Sequence, residues 1–315
     1  MAHMIETMAY AGETPWHGLG KKVPADLSPE QMLVTAGLDW EVHKVPAYAK
    51  LDGEEISTGK SALIRSSDKS VLDVVSNSWM PVQNQQAFEF FNDFVLEGDM
   101  EMHTAGSLKD GQVVWALAKV KESFELFGGD KVDSYLMFTN PHKFGQSIDV
   151  RFTPIRVVCN NTLTLALSEK GDRVVKCTHK TAFDAEAVKQ TLGIANNQLQ
   201  KYKTMASFLG SKRYNDDKLK NYFKEIFPVI KQFGKETAIK EQSKVAKIAL
   251  DVIHTQPGSK FAEGSWWQAF NAVTYLVDHK IGKTQEGRLA SSWFGPNRSL
   301  KLKALERAVE YAEAA

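Results

Sequence analysis

The chain has 315 residues, of which 43% are hydrophobic and 24% are charged, a composition typical of a globular protein with a sizeable core. No apolar run approaches the roughly 18 residues that a membrane-spanning helix needs. The opening MAHMIETMAY lacks the apolar stretch of a secretory signal, so a cytoplasmic protein is expected. Two cysteines, Cys159 and Cys177, are too few for a disulfide framework.

The formal net charge of +1 hides an uneven distribution of charge along the chain. Residues 1–150 carry 12 Lys or Arg against 22 Asp or Glu, whereas residues 151–315 carry 27 against 16. Residues 201–250 alone hold 12 basic and 5 acidic side chains. This basic half could attract phosphate groups or the acidic half of another subunit, or it could simply be a set of solvated helix faces.

The first 80 residues predict one short helix and a β-rich layer. Ser28, Pro29 and Gln31 are typical of a helix start, and Gly37 is typical of its end. Two segments then alternate apolar with polar residues, as antiparallel strands with one buried face do: WEVHKVPAYAK and SALIRSSDKSVLDVVS.

The middle of the chain predicts a helix, an antiparallel meander and a second helix. Apolar residues recur at helical spacing over 84–96, and the pair Asp110-Gly111 is a strong hairpin signal. The predicted strands of the meander are EMHTAGS, QVVWALAKV, SYLMFTN and QSIDVRFT. The following NTLTLAL predicts the start of a helix that Asn160 or Asn161 would cap.

From Asp184 onward the apolar residues repeat at intervals of three and four, which predicts a series of helices. The expected separators between these helices are Gly210, Gly258, Gly282 and Gly295. The sequence therefore predicts an α+β domain with an antiparallel sheet over residues 1–182 and a mainly helical region over residues 183–315.

No nucleotide or cofactor motif is present. Gly59-Lys60-Ser61 and Gly282-Lys283-Thr284 each resemble the end of a phosphate-binding loop, but the preceding glycine that such a loop needs is missing in both. No Gly-x-Gly-x-x-Gly fingerprint occurs either. We therefore expect no cofactor and no ATP dependence.

Two groups of residues are candidates for a metal or catalytic site. Glu97, Asp99, Glu101 and His103 alternate along one predicted strand, but this spacing is also that of a polar outer sheet face, which we favour. Cys159, Cys177 and His179 are one ligand short of a structural zinc site. No metal and no enzymatic activity are expected; an enzyme that uses Cys159 or the acidic cluster near Asp99 stays open as a third possibility.

Polar residues interrupt the apolar run TPIRVVCNNTLTLAL at the predicted junction between sheet and helix. Backbone N–H groups at a helix start, Arg guanidinium groups and Asn amides all bind phosphate, so the sequence predicts a nucleic-acid site here. An internal Arg that holds a carboxylate such as Asp149 is the alternative. The predicted site residues are Arg151, Arg156, Asn160, Asn161, Lys176, His179, Lys180, Lys201, Lys203, Lys212 and Arg213.

Several strings resemble a phage and plasmid-like family of uncharacterised proteins from mobile elements: PWHGLG, WMPVQNQQAFEF, TPIRVVCNNTLTLAL, KCTHK and WWQAFNAVTYLVDH. The order of helix, antiparallel meander and helix also resembles the core of the Rad-fifty-two type single-strand annealing superfamily, which includes the phage proteins Erf, RecT and Redβ. This second resemblance implies a protein of the bacterial cytoplasm that binds single-stranded DNA as a ring or filament and anneals it without ATP during homologous recombination.

A different class of function fits the same composition. The chain could be a protein-binding module of a mobile element that interferes with a host defence or replication factor without binding nucleic acid. Its acidic half would then contact a basic partner, and Arg156 would be internal scaffold.

Overall fold

The computed structural model describes residues 5–12, 20–156, 161–162, 175–229, 242–284, 287–288, 291–292 and 295–314. Within these ranges the chain is mixed α+β, with two sheets of mainly antiparallel strands followed by a helical C-terminal region. No helix of this described part is both long and apolar enough to cross a membrane.

The larger sheet has eight strands in the order β10-β9-β8-β7-β6-β1-β2, with β11 also paired to β9. Its strands are β1 (Ile5–Ala11), β2 (Lys21–Val23), β6 (Met100–Leu108), β7 (Val113–Leu126), β8 (Asp130–Pro141), β9 (Ile148–Arg156), β10 (Asn161–Thr162) and β11 (Val175–Cys177). The β1–β2 pair is parallel, whereas β1–β6, β6–β7, β9–β10 and β9–β11 are antiparallel.

The smaller sheet has three antiparallel strands, β3 (Val42–Leu51), β4 (Glu54–Arg65) and β5 (Val71–Ser76), in that order. β3 and β4 form a long hairpin. Leu63, Leu72 and Val75 on the inner side of this sheet are buried.

The helices are α1 (Pro29–Thr35), α2 (Asn84–Glu89), α3 (Asn92–Leu96), α4 (Ala185–Ser211), α5 (Asp216–Ile226), α6 (Lys244–Val252), α7 (Trp266–Tyr275) and α8 (Pro296–Glu313). A π-helical turn, Leu276–Lys280, follows α7. Side-chain caps explain several starts: the oxygens of Asn215, Ser243 and Ser265 each accept a backbone N–H three residues further on.

The chain divides into two compact units. The first comprises the described parts of Met1–Glu122, Ser134–Phe152 and Glu169–Asn196, and the second those of Ser123–Asp133, Thr153–Ser168 and Asn197–Ala315. The core of the first unit contains the buried rings of Phe88, Phe90, Phe91, Trp115 and Phe138. The core of the second contains those of Tyr202, Tyr222, Phe223, Trp266, Trp267 and Phe270.

Several predicted elements are confirmed. Ser28 and Gln31 form a reciprocal capping box at the start of α1, with N–H to oxygen distances of 3.2 and 2.9 Å, and the helix ends just before Gly37. The four strands of the predicted meander are β6 to β9, although β7 and β8 extend well beyond the predicted segments.

Other expectations were wrong in detail. The predicted helix over 84–96 is two short helices, α2 and α3, with a break where Phe90 and Phe91 bury both rings. Asn161 begins no helix, because Asn161 and Thr162 pair with Arg156 and Ile155 as strand β10. Asn160 and residues 163–167 of the predicted helix start lie outside the described residues.

Candidate nucleic-acid interface

Arg151 lies on β9 and is buried, with 8% of its surface exposed. Its Nη1 is 3.4 Å from Asp149 Oδ2, and its Nη2 is 3.7 Å from Met137 Sδ. Asp149 is the carboxylate that the sequence offered as an internal partner, and the i, i+2 spacing puts both side chains on one face of the strand. In the first unit, Arg151 therefore packs as a buried, ion-paired side chain.

Three further predicted residues follow on and after β11. Lys176 and Lys180 are exposed, whereas His179 is 3% exposed and stacks on Trp79 with ring centroids 4.0 Å apart. His179 Nδ1 donates to the Met80 carbonyl at 3.0 Å, and the Met80 N–H donates to the His179 carbonyl at 2.6 Å. Burial lowers the pKa of His179, which keeps the ring neutral.

A buried polar network that the sequence did not predict surrounds the segment after Met80. His142 is fully buried, and its Nε2 is 2.9 Å from Asn84 Oδ1. The Asn84 amide donates to the Leu38 carbonyl at 3.0 Å, and Asn140 donates to the Val82 carbonyl at 2.8 Å. Burial, followed by the charge of nearby His179, lowers the pKa of His142 to about 3.

This network braces the first unit and keeps both imidazole rings neutral near pH 7. The signal for it was the string WMPVQNQQ, in which several amides directly follow a proline before an apolar run.

The first unit has an open cleft of about 490 Å³, and Arg65, Glu6 and Asp68 are among the residues that line it. Arg65 Nη1 donates to both carboxylate oxygens of Glu6, at 2.6 and 2.8 Å, and Arg65 Nε donates to Asp68 at 3.0 Å. The guanidinium also lies 5.5 Å from the Trp40 ring centroid, and it holds the pKa of the Asp68 carboxyl far below its ordinary value. The donors of Arg65 are thus occupied by carboxylates, and the cleft is not a phosphate site.

The second unit places four predicted cations together around the end of α4. We call this set the α4 cation cluster: Lys201, Lys203, Lys212 and Arg213. Lys201 and Arg213 are exposed, and the other two are half-buried. None of the four makes an ion pair with another residue of the described ranges. Lys201 and Lys203 lie on the last three turns of α4, and Lys212 and Arg213 directly follow its end at Ser211.

The backbone after α4 is fixed by the segment before α7. The Trp266 N–H donates to the Lys212 carbonyl at 3.0 Å, and the Tyr214 N–H donates to the Gly264 carbonyl at 3.1 Å. Gly264 has φ +74°, and a Cβ there would lie 3.3 Å from Arg213 Nη1. Arg213 therefore extends from a rigid turn that needs glycine opposite it.

Tyr214 follows Arg213 in the same turn, and a side-chain hydrogen bond connects it to α7. Its hydroxyl donates to Gln268 Oε1 at 2.8 Å, and burial, then the charge of Glu263, raises the pKa of Tyr214 to about 12. Asp216 and Asp217 begin α5 directly beyond it. These carboxylates mark the border of the α4 cation cluster.

Two other basic side chains of the second unit are neutralised. Lys301 Nζ lies 2.9 Å from Asp278 Oδ1 with both side chains fully buried, and Arg307 pairs with Glu225 and Glu310. Trp266 and Trp267 are also fully buried, so their rings belong to the core and are not stacking platforms for bases.

Three predicted site residues remain: Arg156, Asn160 and Asn161. Arg156 ends β9 opposite Asn161 of β10, and Asn160 lies outside the described residues. Across the part of the chain that the structure describes, no three His, Cys, Asp or Glu side chains could together hold a metal ion.

Residues 71–298 match the model of a protein family described as DUF932, a domain of unknown function. No curated protein and no solved structure matches the chain.

Proposed function

Since the chain belongs to the DUF932 family of domains of unknown function, we propose a function from its described surface: it binds single-stranded nucleic acid through the α4 cation cluster and anneals complementary strands without ATP. Phosphates would contact the ammonium and guanidinium groups, and the bases would stay free to pair.

The observation that carries this proposal is the lack of acidic residues along α4 after its first turn. After Glu186 the next acidic residue in the sequence is Asp216, and the stretch between them is rich in Lys, Asn, Gln, Ser and Thr. Lys189 at the start of this stretch is neutralised by Asp93 and Glu186, but the α4 cation cluster is not paired within the described chain. Lys201 and Lys203 therefore lie on a stretch of α4 without acidic residues, and Lys212 and Arg213 follow it. Cations without an ion-pair partner favour a polyanionic ligand.

Two features support annealing without an energy source. Gly59-Lys60-Ser61 lies within strand β4 and Gly282-Lys283-Thr284 follows the π-helical turn, so neither string connects a strand to a helix as a phosphate-binding loop does. The helices α2 and α3, the meander β6 to β9 and the later long helix α4 also resemble the order of single-strand annealing proteins, with β10 and β11 inserted before α4.

The biological setting belongs to the same proposal. We place the protein in the bacterial cytoplasm, encoded by a phage or plasmid and active in homologous recombination. It would assemble as a ring or filament on the strand, because one short cluster of cations covers few nucleotides and repeated subunits would extend the bound length.

Fluorescence anisotropy of a labelled single-stranded oligonucleotide, titrated at several salt concentrations, tests the binding. For four phosphate contacts, log K should fall against log salt with a slope of about −3. Lys201→Glu combined with Lys203→Glu should weaken binding and flatten that slope. Lys244→Glu combined with Lys247→Glu, at two exposed lysines on α6 of the same unit, is the matched control and should bind like wild type.

Two outcomes decide between this function and the rival. No binding at low salt would overturn the proposal and favour a protein-binding module. Equal loss of affinity in the α6 double variant and in the α4 double variant would also overturn it, because attraction would then follow net charge rather than this cluster. Annealing itself is measured without ATP as quenching between complementary labelled strands.

A further inference from the structure

The distal half of the β3–β4 hairpin is uncovered on both faces. β5 pairs with β4 only over Lys60–Ile64, so beyond Lys60 the hairpin is a two-stranded ribbon. It ends in a type I′ turn at Asp52 and Gly53, whose φ angles are 51° and 91°. All side chains from Tyr48 to Lys60 are exposed. A two-stranded ribbon of this kind is only marginally stable in water by itself.

The strand register separates an apolar from a polar face. Ala49 pairs with Ile56, and these side chains lie on the opposite face from the Tyr48–Ser57 and Lys50–Glu55 pairs. Toward the base of the hairpin, the same face continues through Val45, Ala62 and Val74, and then through Ile64 and Val71. We call it the outer face, because Leu63 and Val75 on the other side are buried in the core of the first unit.

The outer face is apolar and open. The exposed fractions are 61% for Leu51, 60% for Val71, 48% for Ile56, 42% for Val74 and 40% for Val45. A contiguous apolar surface of this kind is characteristic of a protein interface.

The charges on the outer face are arranged to match a second copy of the same face. Glu54 pairs with Leu51 near the tip, and Lys60 pairs with Ala47 near the base. β4 has two extra residues between these pairs, Thr58 and Gly59, so the spacing is counted along β3. Leu51 and Ala47 are four residues apart there, which puts both charged partners on the outer face about 13 Å apart. Neither forms an ion pair with another residue in the described ranges. A two-fold axis across the strands near Ile56 would place the acidic tip of one copy over the basic base of the other.

From this complementarity we infer that the chain forms a two-fold dimer by packing the outer faces of two β3–β4–β5 sheets against each other. Glu54 of each copy would pair with Lys60 of the partner subunit, and the apolar rows would cover one another around Ile56. Such an isologous contact uses the same patch on both subunits. It does not depend on nucleic-acid binding.

Continuation of the sheet through the β3 edge is a less suitable arrangement. Pro46 lies in the middle of β3 and has no N–H to donate to an added strand. Packing by faces needs no such hydrogen bond.

Sedimentation velocity on the full chain without nucleic acid tests the dimer. Wild type should sediment at twice the chain mass of 35.2 kDa, and Leu51→Asp with Ile56→Asp should sediment as a monomer. Leu96→Asp is the matched control, because Leu96 is 84% exposed on α3 and should leave the dimer intact. A monomeric wild type, or a dimeric double variant, would overturn the inference.

A charge exchange tests the orientation of the two copies. Glu54→Lys and Lys60→Glu should each raise the dimer dissociation constant by about tenfold or more, and the double variant should recover most of that loss. Glu55→Lys makes the same charge change on the opposite face and should have little effect. Failure of the double variant to recover would contradict the tip-over-base arrangement.

Cross-linking gives an independent measurement if a charged variant folds poorly. Ile56→Cys near the axis should yield an oxidised covalent dimer, whereas Tyr48→Cys on the opposite face should yield no more than wild type. Equal cross-linking by both would overturn the inference.

Discussion

His142 and Asn84 form a hydrogen bond in the core of the first unit, with Nε2 2.9 Å from Oδ1 and with neither residue more than 1% exposed. A neutral imidazole can take part in this bond at little cost, but a protonated ring at the same place would lose its hydration without gaining an opposite charge. The bond therefore ties the stability of this unit to pH.

Stability should decrease as the pH falls from 7 to 5. Because the pKa of His142 is about 3 in the folded chain and near 6.5 when unfolded, the unfolded state binds more protons between these values. Lowering the pH through that window therefore favours unfolding. His142 alone should contribute about 2 kcal/mol of this loss at pH 5, with His179 acting in the same direction.

Urea unfolding of wild type and His142→Gln at the two pH values measures this contribution. The variant is expected to be less stable at pH 7 and to lose about 2 kcal/mol less on acidification. If wild type and His142→Gln lose the same free energy of unfolding between pH 7 and pH 5, His142 does not cause the pH dependence.

Gly210→Ala should destabilise the second unit, although alanine is the better helix former. A Cβ at Gly210 would lie 1.9 Å from the Phe127 ring, so the ring or the helix must shift. Overpacking of this kind costs about 1–3 kcal/mol, against about 1 kcal/mol gained in helix propensity. Thermal unfolding should show a lower midpoint for Gly210→Ala, whereas Ser207→Ala, exposed one turn earlier, should match or exceed wild type.

The same glycine shows what the sequence could and could not predict. Periodicity correctly indicated the helices, and caps such as Ser28 and Asn215 correctly marked their starts, because both signals are local. Gly210 correctly marks the end of α4, which stops at Ser211, but the sequence does not show that its missing side chain makes room for Phe127, more than 80 residues away. Such a contact leaves no local trace.

The candidate site was predictable to a similar degree. The excess of positive charge around α4 was visible in composition, yet the state of each cation depends on its neighbours in three dimensions. Arg151 and Arg213 look equivalent in the sequence, but within the described residues only Arg151 forms an ion pair, with the half-buried Asp149. The Asp52-Gly53 turn of the β3–β4 hairpin is, by contrast, a local signal of the same kind as Asp110-Gly111.

Loss of Lys301 should strongly destabilise the second unit. Lys301→Ala leaves Asp278 buried without its ammonium partner, although the Ser292 hydroxyl still donates to it at 2.7 Å. Breaking such a pair from one side costs about 3–5 kcal/mol. Replacing both residues, as Asp278→Asn with Lys301→Met, should cost clearly less in chemical unfolding; an equal cost for the single and double variants would contradict a paired charge as the cause.

Arg151→Ala and Arg213→Ala should separate scaffold from binding surface. Arg151→Ala removes the buried partner of Asp149 and should lower the free energy of unfolding by about 3 kcal/mol, while folded protein keeps the wild-type salt slope for an oligonucleotide. Arg213→Ala removes one exposed cation and should leave stability within about 0.5 kcal/mol, while the magnitude of the salt slope falls by about 0.7.

The two variants are compared by urea unfolding and by anisotropy at several salt concentrations, below the unfolding transition of each. Because Arg151 and Arg213 carry the same charge, the two substitutions change the net charge equally. A salt slope that falls by the same amount in both would mean that net charge governs binding and that the position of Arg213 at the end of α4 is irrelevant. A slope that falls only in Arg151→Ala would instead place the phosphates beside β9.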